Sequence, residues 1–185
     1  MDSRIIETSH GKVSVADTGD HDKPTLLLIH GNSSSSRIFR NQFDSDTLRA
    51  NYRIVAFNFP GHGRSEDAKD PQNTYTMIGY VRVAVELLEK LGMDDIAILG
   101  WSLGGHIGLE MIPLFQGKVR GLMIVGTPPG SGQGFKFDIS TGLAAKKDLS
   151  EEEIDGFSRG ACGGGSEQWQ ADDVRRTDGR ARYHD

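Results

Sequence analysis

The hydrophobic positions of this chain fall into short runs separated by polar or helical stretches. Two alternating segments within residues 4–17, divided by His10 and Gly11, predict a hairpin at the edge of a sheet. Four later runs are apolar and rich in β-branched residues, as in strands buried on both faces. These runs lie at residues 24–31, 52–63, 96–101 and 119–129.

Helical patterns alternate with these runs. Residues 75–92 place apolar side chains three or four positions apart and close on Gly92, which predicts a helix. A second helix is predicted for residues 103–115, directly after the third buried run. Strands that alternate with helices indicate an α/β fold with a mostly parallel sheet, flanking helices and right-handed connections.

The pattern changes after Pro129, where the sequence becomes glycine-rich and charged. No further buried strand is predicted there, and only weak helical patterns occur. We expect residues 1–129 to form the core of the domain and residues 130–185 to form part of a helical lid, or cap. A loosely folded tail is the alternative interpretation of residues 130–185.

Composition narrows the classes of function. The 185 residues are 36% hydrophobic and 25% charged, which is typical of one globular domain. A net charge of -5, without a dense Lys/Arg cluster, argues against nucleic acid and anionic membranes as partners. Because Cys162 is the single cysteine, the N-terminus lacks a signal-peptide pattern and no apolar run approaches about 18 residues, we expect a cytoplasmic protein.

The strongest chemical signal is Ser102 in the pentapeptide Gly100-Trp101-Ser102-Leu103-Gly104. This G-x-S-x-G pattern lies between a predicted strand and a predicted helix, which is the context of a nucleophile elbow. The turn is tight, so the residues two before and two after the serine must be small. A glycine-rich turn that packs closely for structural reasons is the alternative.

A second signal is His30-Gly31-Asn32 at the end of the first buried run. Acyl transfer needs two hydrogen-bond donors for the oxyanion, and the backbone N–H groups of Asn32 and Leu103 are the candidates. Both loops are predicted at the carboxyl edge of the parallel sheet, where α/β proteins bind ligands. His30 is expected to hold its loop by hydrogen bonds, and the serine run at 33–36 could cap the next helix.

Through "LLLIHGN", "FNFPGHGRS" and "GWSLGGHIG", residues 1–129 resemble the α/β-hydrolase superfamily. "IHGNSSS", "YTMIGY", "GWSLGGHIGLEMI", "GLMIVGTPP" and "RTDGRAR" are similar, more narrowly, to N-acyl homoserine lactone lactonases of that fold. The resemblance implies opening of a lactone ring without a metal or other cofactor, with Ser102 as nucleophile and a small ester or lactone as substrate. Gly31, Trp101 and Phe157 are the candidate substrate-binding residues.

Some positions depart from the family pattern. Asn58 stands where the superfamily usually has aspartate, which puts stability in doubt more than chemistry. The usual acid position after the last buried run holds Gly126-Thr127-Pro128-Pro129, without a carboxylate. After Ser102 the only histidines are His106, expected to pack inside a helix, and the penultimate His184.

We therefore expect a C-terminally truncated chain that lacks its catalytic acid and histidine, is inactive by itself and exposes the apolar flank of its parallel sheet. A non-catalytic ligand-binding protein of the same fold and a general carboxylesterase remain alternatives. Relatives that cleave halides or open epoxides use aspartate where this chain has Ser102, so those activities are disfavoured.

Overall fold

A computed structural model describes residues 2–115 and 117–127, together with residues 150 and 152. Phe157, His184 and the proposed lid, apart from residues 150 and 152, lie outside the described residues.

Within the described residues, six strands form one sheet in the order β1-β2-β4-β3-β5-β6. Their bounds are β1 Arg4–Thr8, β2 Gly11–Asp17, β3 Thr25–Ile29, β4 Arg53–Phe57, β5 Ile96–Trp101 and β6 Val119–Val125. The β1–β2 hairpin and the β2–β4 pair are antiparallel, whereas β4, β3, β5 and β6 run parallel. The predicted edge hairpin and parallel sheet are confirmed.

The helices of the described residues are α1 Arg40–Phe43, α2 Asp46–Asn51, α3 Pro71–Thr74, α4 Met77–Lys90 and α5 Leu103–Met111. The predicted helix at residues 75–92 corresponds to α4, which begins at a Thr76 cap whose hydroxyl accepts from the Gly79 N–H at 3.0 Å. The predicted helix at 103–115 is shorter than expected. It continues as a 3-10 turn over Ile112–Phe115, because Pro113 supplies no N–H for the α-helical hydrogen bond.

Two apolar clusters cover the two faces of the sheet. On one face, α4 and α5 bury side chains such as Tyr80, Leu87 and Ile107 against the inner strands. On the other face, Phe39 and Phe43 pack against side chains of β3 and β4. Sheet and helices are thereby fixed to each other, and the parallel strands present their carboxyl ends along one edge of the domain.

The two outermost strands of the sheet differ in burial. The apolar run of β6 predicts a buried strand, but this prediction is wrong for most of the strand in the described structure. Met123, Ile124 and Val125 are 61%, 41% and 45% exposed. Within the described residues β6 pairs with β5 alone, and the exposure agrees with the open apolar flank expected of the sheet. Among the described residues, no helix has the length and apolarity needed to cross a membrane.

Candidate active site

Ser102 occupies the turn between β5 and α5. Its backbone angles are φ 54° and ψ -119°, and Ser33 is the only other described non-glycine residue with positive φ. Side chains rarely adopt this region, and a residue held there stores strain of about 1–3 kcal/mol. The predicted tight strand-to-helix turn with an unusual backbone at Ser102 is confirmed.

Three glycines around Ser102 allow the close packing of this turn. A Cβ atom on Gly100 would collide with the Gly104 carbonyl, and one on Gly104 would collide with the carbonyl of Ile29 at the end of β3. A Cβ atom on Gly105 would collide with the Thr127 hydroxyl. Gly100 and Gly104 are therefore required by contact with backbone, as the motif predicts, whereas Gly105 is required by contact with Thr127.

The loop after β3 lies directly against the turn. A Cβ atom on Gly31 would be 2.9 Å from Ser102 Cβ and 2.8 Å from Trp101 Cε3. The next residue, Asn32, follows Gly31 at the carboxyl edge of the sheet. Within residues 2–115 and 117–127, the backbone N–H groups of Asn32 and Leu103 donate no hydrogen bond. That both N–H groups converge on one oxyanion stays a prediction.

His30 holds this loop, in agreement with the role expected for it. The fully buried ring donates from Nδ1 to the Gly31 carbonyl at 2.7 Å and accepts at Nε2 from the Phe59 N–H at 3.2 Å. Burial first, and then the adjacent His62 ring, lower the pKa of His30 to about 3. The imidazole is thus neutral near pH 7 and has both nitrogens engaged, which leaves it no capacity to act as a base.

Asn58 connects the loop after β4 to the same region. Its Oδ1 accepts from the Ser36 N–H at 2.7 Å, and its carbonyl accepts from the Ser65 hydroxyl at 2.6 Å. Asn58 is 4% exposed. A Cβ atom on Gly63, whose φ is +52°, would lie only 2.7 Å from Asn58 Cγ. Asn58 therefore has a structural role that an amide fulfils without a buried charge.

The remaining predicted site residues are placed as follows. Trp101 is partly buried and packs against the apolar cluster of Phe39 and Phe43, so its use as a pocket wall stays a prediction. His106 is partly buried on α5, one turn after Ser102. Leu103 is 9% exposed at the start of α5.

Sequence reasoning missed three polar groups, two in the loop after β3 and one just after β6. Asn32 Oδ1 and Ser34 Oγ are buried and have no hydrogen-bond partner in the described part of the chain. The Thr127 hydroxyl donates to the Ser102 carbonyl at 2.8 Å. Thr127 is noticeable in the sequence only because it stands where an acid is expected, and no sequence signal indicates the buried side chain of Ser34.

Comparison with known proteins places this geometry in a family. Residues 24–151, more than two thirds of the chain, match the model of the alpha/beta hydrolase fold. The chain is 43% identical to N-acyl homoserine lactonase AidH, solved in complex with N-butanoyl homoserine, at a TM-score of 0.87, and the match covers 98% of this chain and 67% of AidH. An S102G variant of AidH has been solved with N-hexanoyl homoserine lactone, and this chain is 42% identical to it.

Curated relatives are more distant. Haloalkane dehalogenase 2 of Mycobacterium tuberculosis is 30% identical over 127 residues, which cover 69% of this chain and 42% of the dehalogenase. The magnesium-chelatase 30 kDa subunit of Rhodobacter capsulatus is 34% identical over 97 residues, covering 52% of this chain and 33% of the subunit. The chain thus spans less than half the length of these relatives. With a six-stranded sheet of this order and a match over residues 24–151, the chain belongs to the alpha/beta hydrolase fold family.

Proposed function

We propose that this chain carries the nucleophile and the oxyanion donors of a serine hydrolase that opens the lactone ring of N-acyl homoserine lactones, a quorum-quenching activity. The observation that carries the proposal is the contact of two loops: the strained Ser102 turn and the Gly31-Asn32 loop meet at the carboxyl edge of the sheet. The lactone is favoured over other esters by the 43% identity to AidH along 98% of this chain.

In the proposed reaction, Ser102 Oγ attacks the carbonyl carbon of the lactone. The N–H groups of Asn32 and Leu103 stabilise the negative charge that develops on the carbonyl oxygen. The ring C–O bond then breaks, and the ring oxygen leaves as a hydroxyl after taking up the proton given by Ser102. Water releases the acyl group from Ser102, so the product is an N-acyl homoserine.

A base must accept the Ser102 proton. In the part of the chain that the structure describes, the Ser102 hydroxyl makes no hydrogen bond to a histidine or to a carboxylate. Loss of a triad member typically costs about 10⁴ to 10⁶ in rate. We therefore propose that the 185-residue chain turns over slowly.

The test measures ring opening of N-hexanoyl homoserine lactone by proton release at neutral pH with a chelator present. The 185-residue chain is compared with its Ser102→Ala variant. We expect slow turnover by the 185-residue chain and loss of turnover on Ser102→Ala. Activity that survives Ser102→Ala, or that the chelator removes, would contradict the serine mechanism.

The wild type and its Ser102→Ala variant also distinguish the proposed activity from two other functions. A ligand-binding protein would bind the lactone without turnover, with equal affinity in wild type and Ser102→Ala, and Ser102 would not react with a fluorophosphonate. A general carboxylesterase would hydrolyse p-nitrophenyl butyrate as fast as the lactone. Halide cleavage is not proposed, because Ser102 stands where such relatives use aspartate.

A further inference from the structure

Thr127 lies at the end of β6, beside the Ser102 turn. Its hydroxyl donates to the Ser102 carbonyl oxygen at 2.8 Å. From this geometry we propose that Thr127 is a positioning residue, which orients and polarises the Ser102–Leu103 peptide. The inference rests on the proposed function, since it assigns Thr127 a role toward the nucleophile and one oxyanion donor.

The hydrogen bonds of Ser102 explain how its strained conformation is held. Its N–H donates to the Val125 carbonyl at 2.9 Å, and its carbonyl accepts from the Gly105 N–H at 2.9 Å as well as from Thr127. Two of these three partners come from the end of β6. A strained residue persists only where its surroundings over-determine it, and this end of β6 supplies that constraint.

Gly105 is matched to Thr127. A Cβ atom on Gly105 would collide with Thr127 Oγ1 and would be 3.0 Å from Thr127 Cβ. The absence of a side chain at position 105 is therefore what allows the threonine to approach the turn. This pairing accounts for the third glycine near Ser102, which the G-x-S-x-G pattern does not require.

The planarity of the peptide bond connects Thr127 to the oxyanion donor. The Ser102 carbonyl and the Leu103 N–H belong to one rigid unit and point in opposite directions. A donor that fixes the carbonyl oxygen therefore also fixes the direction of the Leu103 N–H. It also withdraws electron density from the amide, which strengthens the N–H as a donor.

The effect of Thr127 is expected on the transition state more than on substrate binding. A single hydrogen bond of this kind changes a rate by about 3- to 10-fold. Thr127→Val keeps the shape of the side chain and removes the donor, whereas Thr127→Ser keeps the donor. A matched control is Thr8→Val, because the buried Thr8 hydroxyl donates to the Gly11 carbonyl at 2.6 Å in the hairpin at the far edge of the sheet.

Two measurements test the proposal. The first is the rate constant for labelling of Ser102 by a fluorophosphonate, and the second is the NMR shift of the Leu103 and Gly105 amide protons, which needs no reactive serine. Thr127→Val should lower the labelling rate about 3- to 10-fold and move both amide signals. Thr127→Ser should restore both to near wild type, and Thr8→Val should change neither.

The results separate this inference from the proposed function. Wild-type labelling rates and amide shifts in Thr127→Val, or failure of Thr127→Ser to rescue, would overturn the positioning role. If Ser102 of the wild type labels too slowly to measure, as the lack of a base among the described residues allows, labelling contradicts neither claim, and the ring-opening assay tests the proposed function. The amide shifts then decide alone: a change in Thr127→Val with rescue by Thr127→Ser supports the role, and unchanged shifts overturn it.

Discussion

The two edges of the sheet differ in the side chains that they carry. At the β1–β2 edge, charged side chains pair with one another, and the carboxylate of Asp17 is enclosed by Arg53 and Arg4. Further pairs there are Lys69 with Glu7 and Lys12 with Glu66. At the β6 edge, the apolar side chains of Met123, Ile124 and Val125 are exposed. Charged edges resist pairing with other strands, whereas apolar edges invite it.

The candidate active site lies against the apolar edge. Ser102 is bonded to Val125 and Thr127, at the end of the exposed strand, while the loops that carry His30 and Asn58 are buried in the interior. The comparison teaches that the nucleophile depends on the part of the sheet with the least support among the described residues. Stability and reactivity should therefore respond to different substitutions.

The largest effect on stability is expected from the buried ion pair between β2 and the inner strand β4, next to the charged edge. Arg53 donates from Nη2 to Asp17 Oδ2 at 2.6 Å and from Nε to Asp17 Oδ1 at 2.9 Å. The two side chains are 4% and 7% exposed. Burial alone would raise the pKa of Asp17, but hydrogen bonds from Arg53 and Gly19 outweigh it and lower the pKa. Arg53→Met should lower the free energy of unfolding at pH 7 by about 3 kcal/mol, the lower end of the range for a broken buried pair, because Arg4 and the Gly19 N–H still contact the buried carboxylate.

Urea denaturation measures this effect, and two further variants sharpen it. Lys12→Met, at the exposed pair with Glu66, should have little effect. The double variant Arg53→Met, Asp17→Leu should regain most of the loss, since no charge is then buried. A loss in Lys12→Met equal to that in Arg53→Met would show that the burial of the pair does not matter.

The second-largest effect on stability is expected when the pH is lowered, because two histidines are buried in the interior next to β4. Burial lowers the pKa of His62 to about 4, and burial together with the His62 ring lowers the pKa of His30 to about 3. The folded protein therefore binds these protons less readily than the unfolded chain, whose histidines titrate near 6.5. The stability is fully present above pH 6.5 and is lost as the pH falls toward 4.

Between pH 7.5 and pH 5.5 the two histidines together should cost about 2–3 kcal/mol of unfolding free energy. Chemical denaturation at half-unit pH steps measures the slope of unfolding free energy against pH. His62→Asn should reduce that slope by about half, since one buried imidazole remains. A slope unchanged by His62→Asn would mean that other groups titrate in this range.

The sequence predicts the inner strands and the β1–β2 hairpin better than the outermost strand β6. Continuous apolar runs identify β3, β4 and β5, and the glycines around Ser102 predict its strained turn, because both depend on local sterics. The run of β6 looks the same in sequence, yet the strand is exposed, since hydropathy does not say whether a neighbour is present. Contacts between distant residues are equally hidden: Ser9 bonds Glu86, and Thr127 bonds Ser102.

A smaller effect is expected from the strain at Ser102. Glycine adopts φ near 54° without steric cost, whereas alanine does not. Ser102→Gly should therefore have a free energy of unfolding about 1 kcal/mol higher than Ser102→Ala, although both lack the hydroxyl. Chemical denaturation of the two variants side by side measures the difference. Equal stabilities would show that the turn relaxes once the serine is removed.

The smallest effect on stability is expected at the apolar edge itself. Met123 is 61% exposed on β6, so Met123→Lys should change the free energy of unfolding by less than about 0.5 kcal/mol. Self-association should nevertheless fall, because a lysine on an exposed edge strand opposes pairing with a second strand. Sedimentation velocity at several protein concentrations measures this.

The control is Ile5→Lys, since Ile5 is 53% exposed on β1, the other edge strand. Either lysine makes the net charge of -5 less negative, and a smaller net charge by itself would favour association. A fall in association in Met123→Lys alone would therefore identify the apolar edge as its source, whereas equal behaviour of the two variants would contradict the difference between the edges.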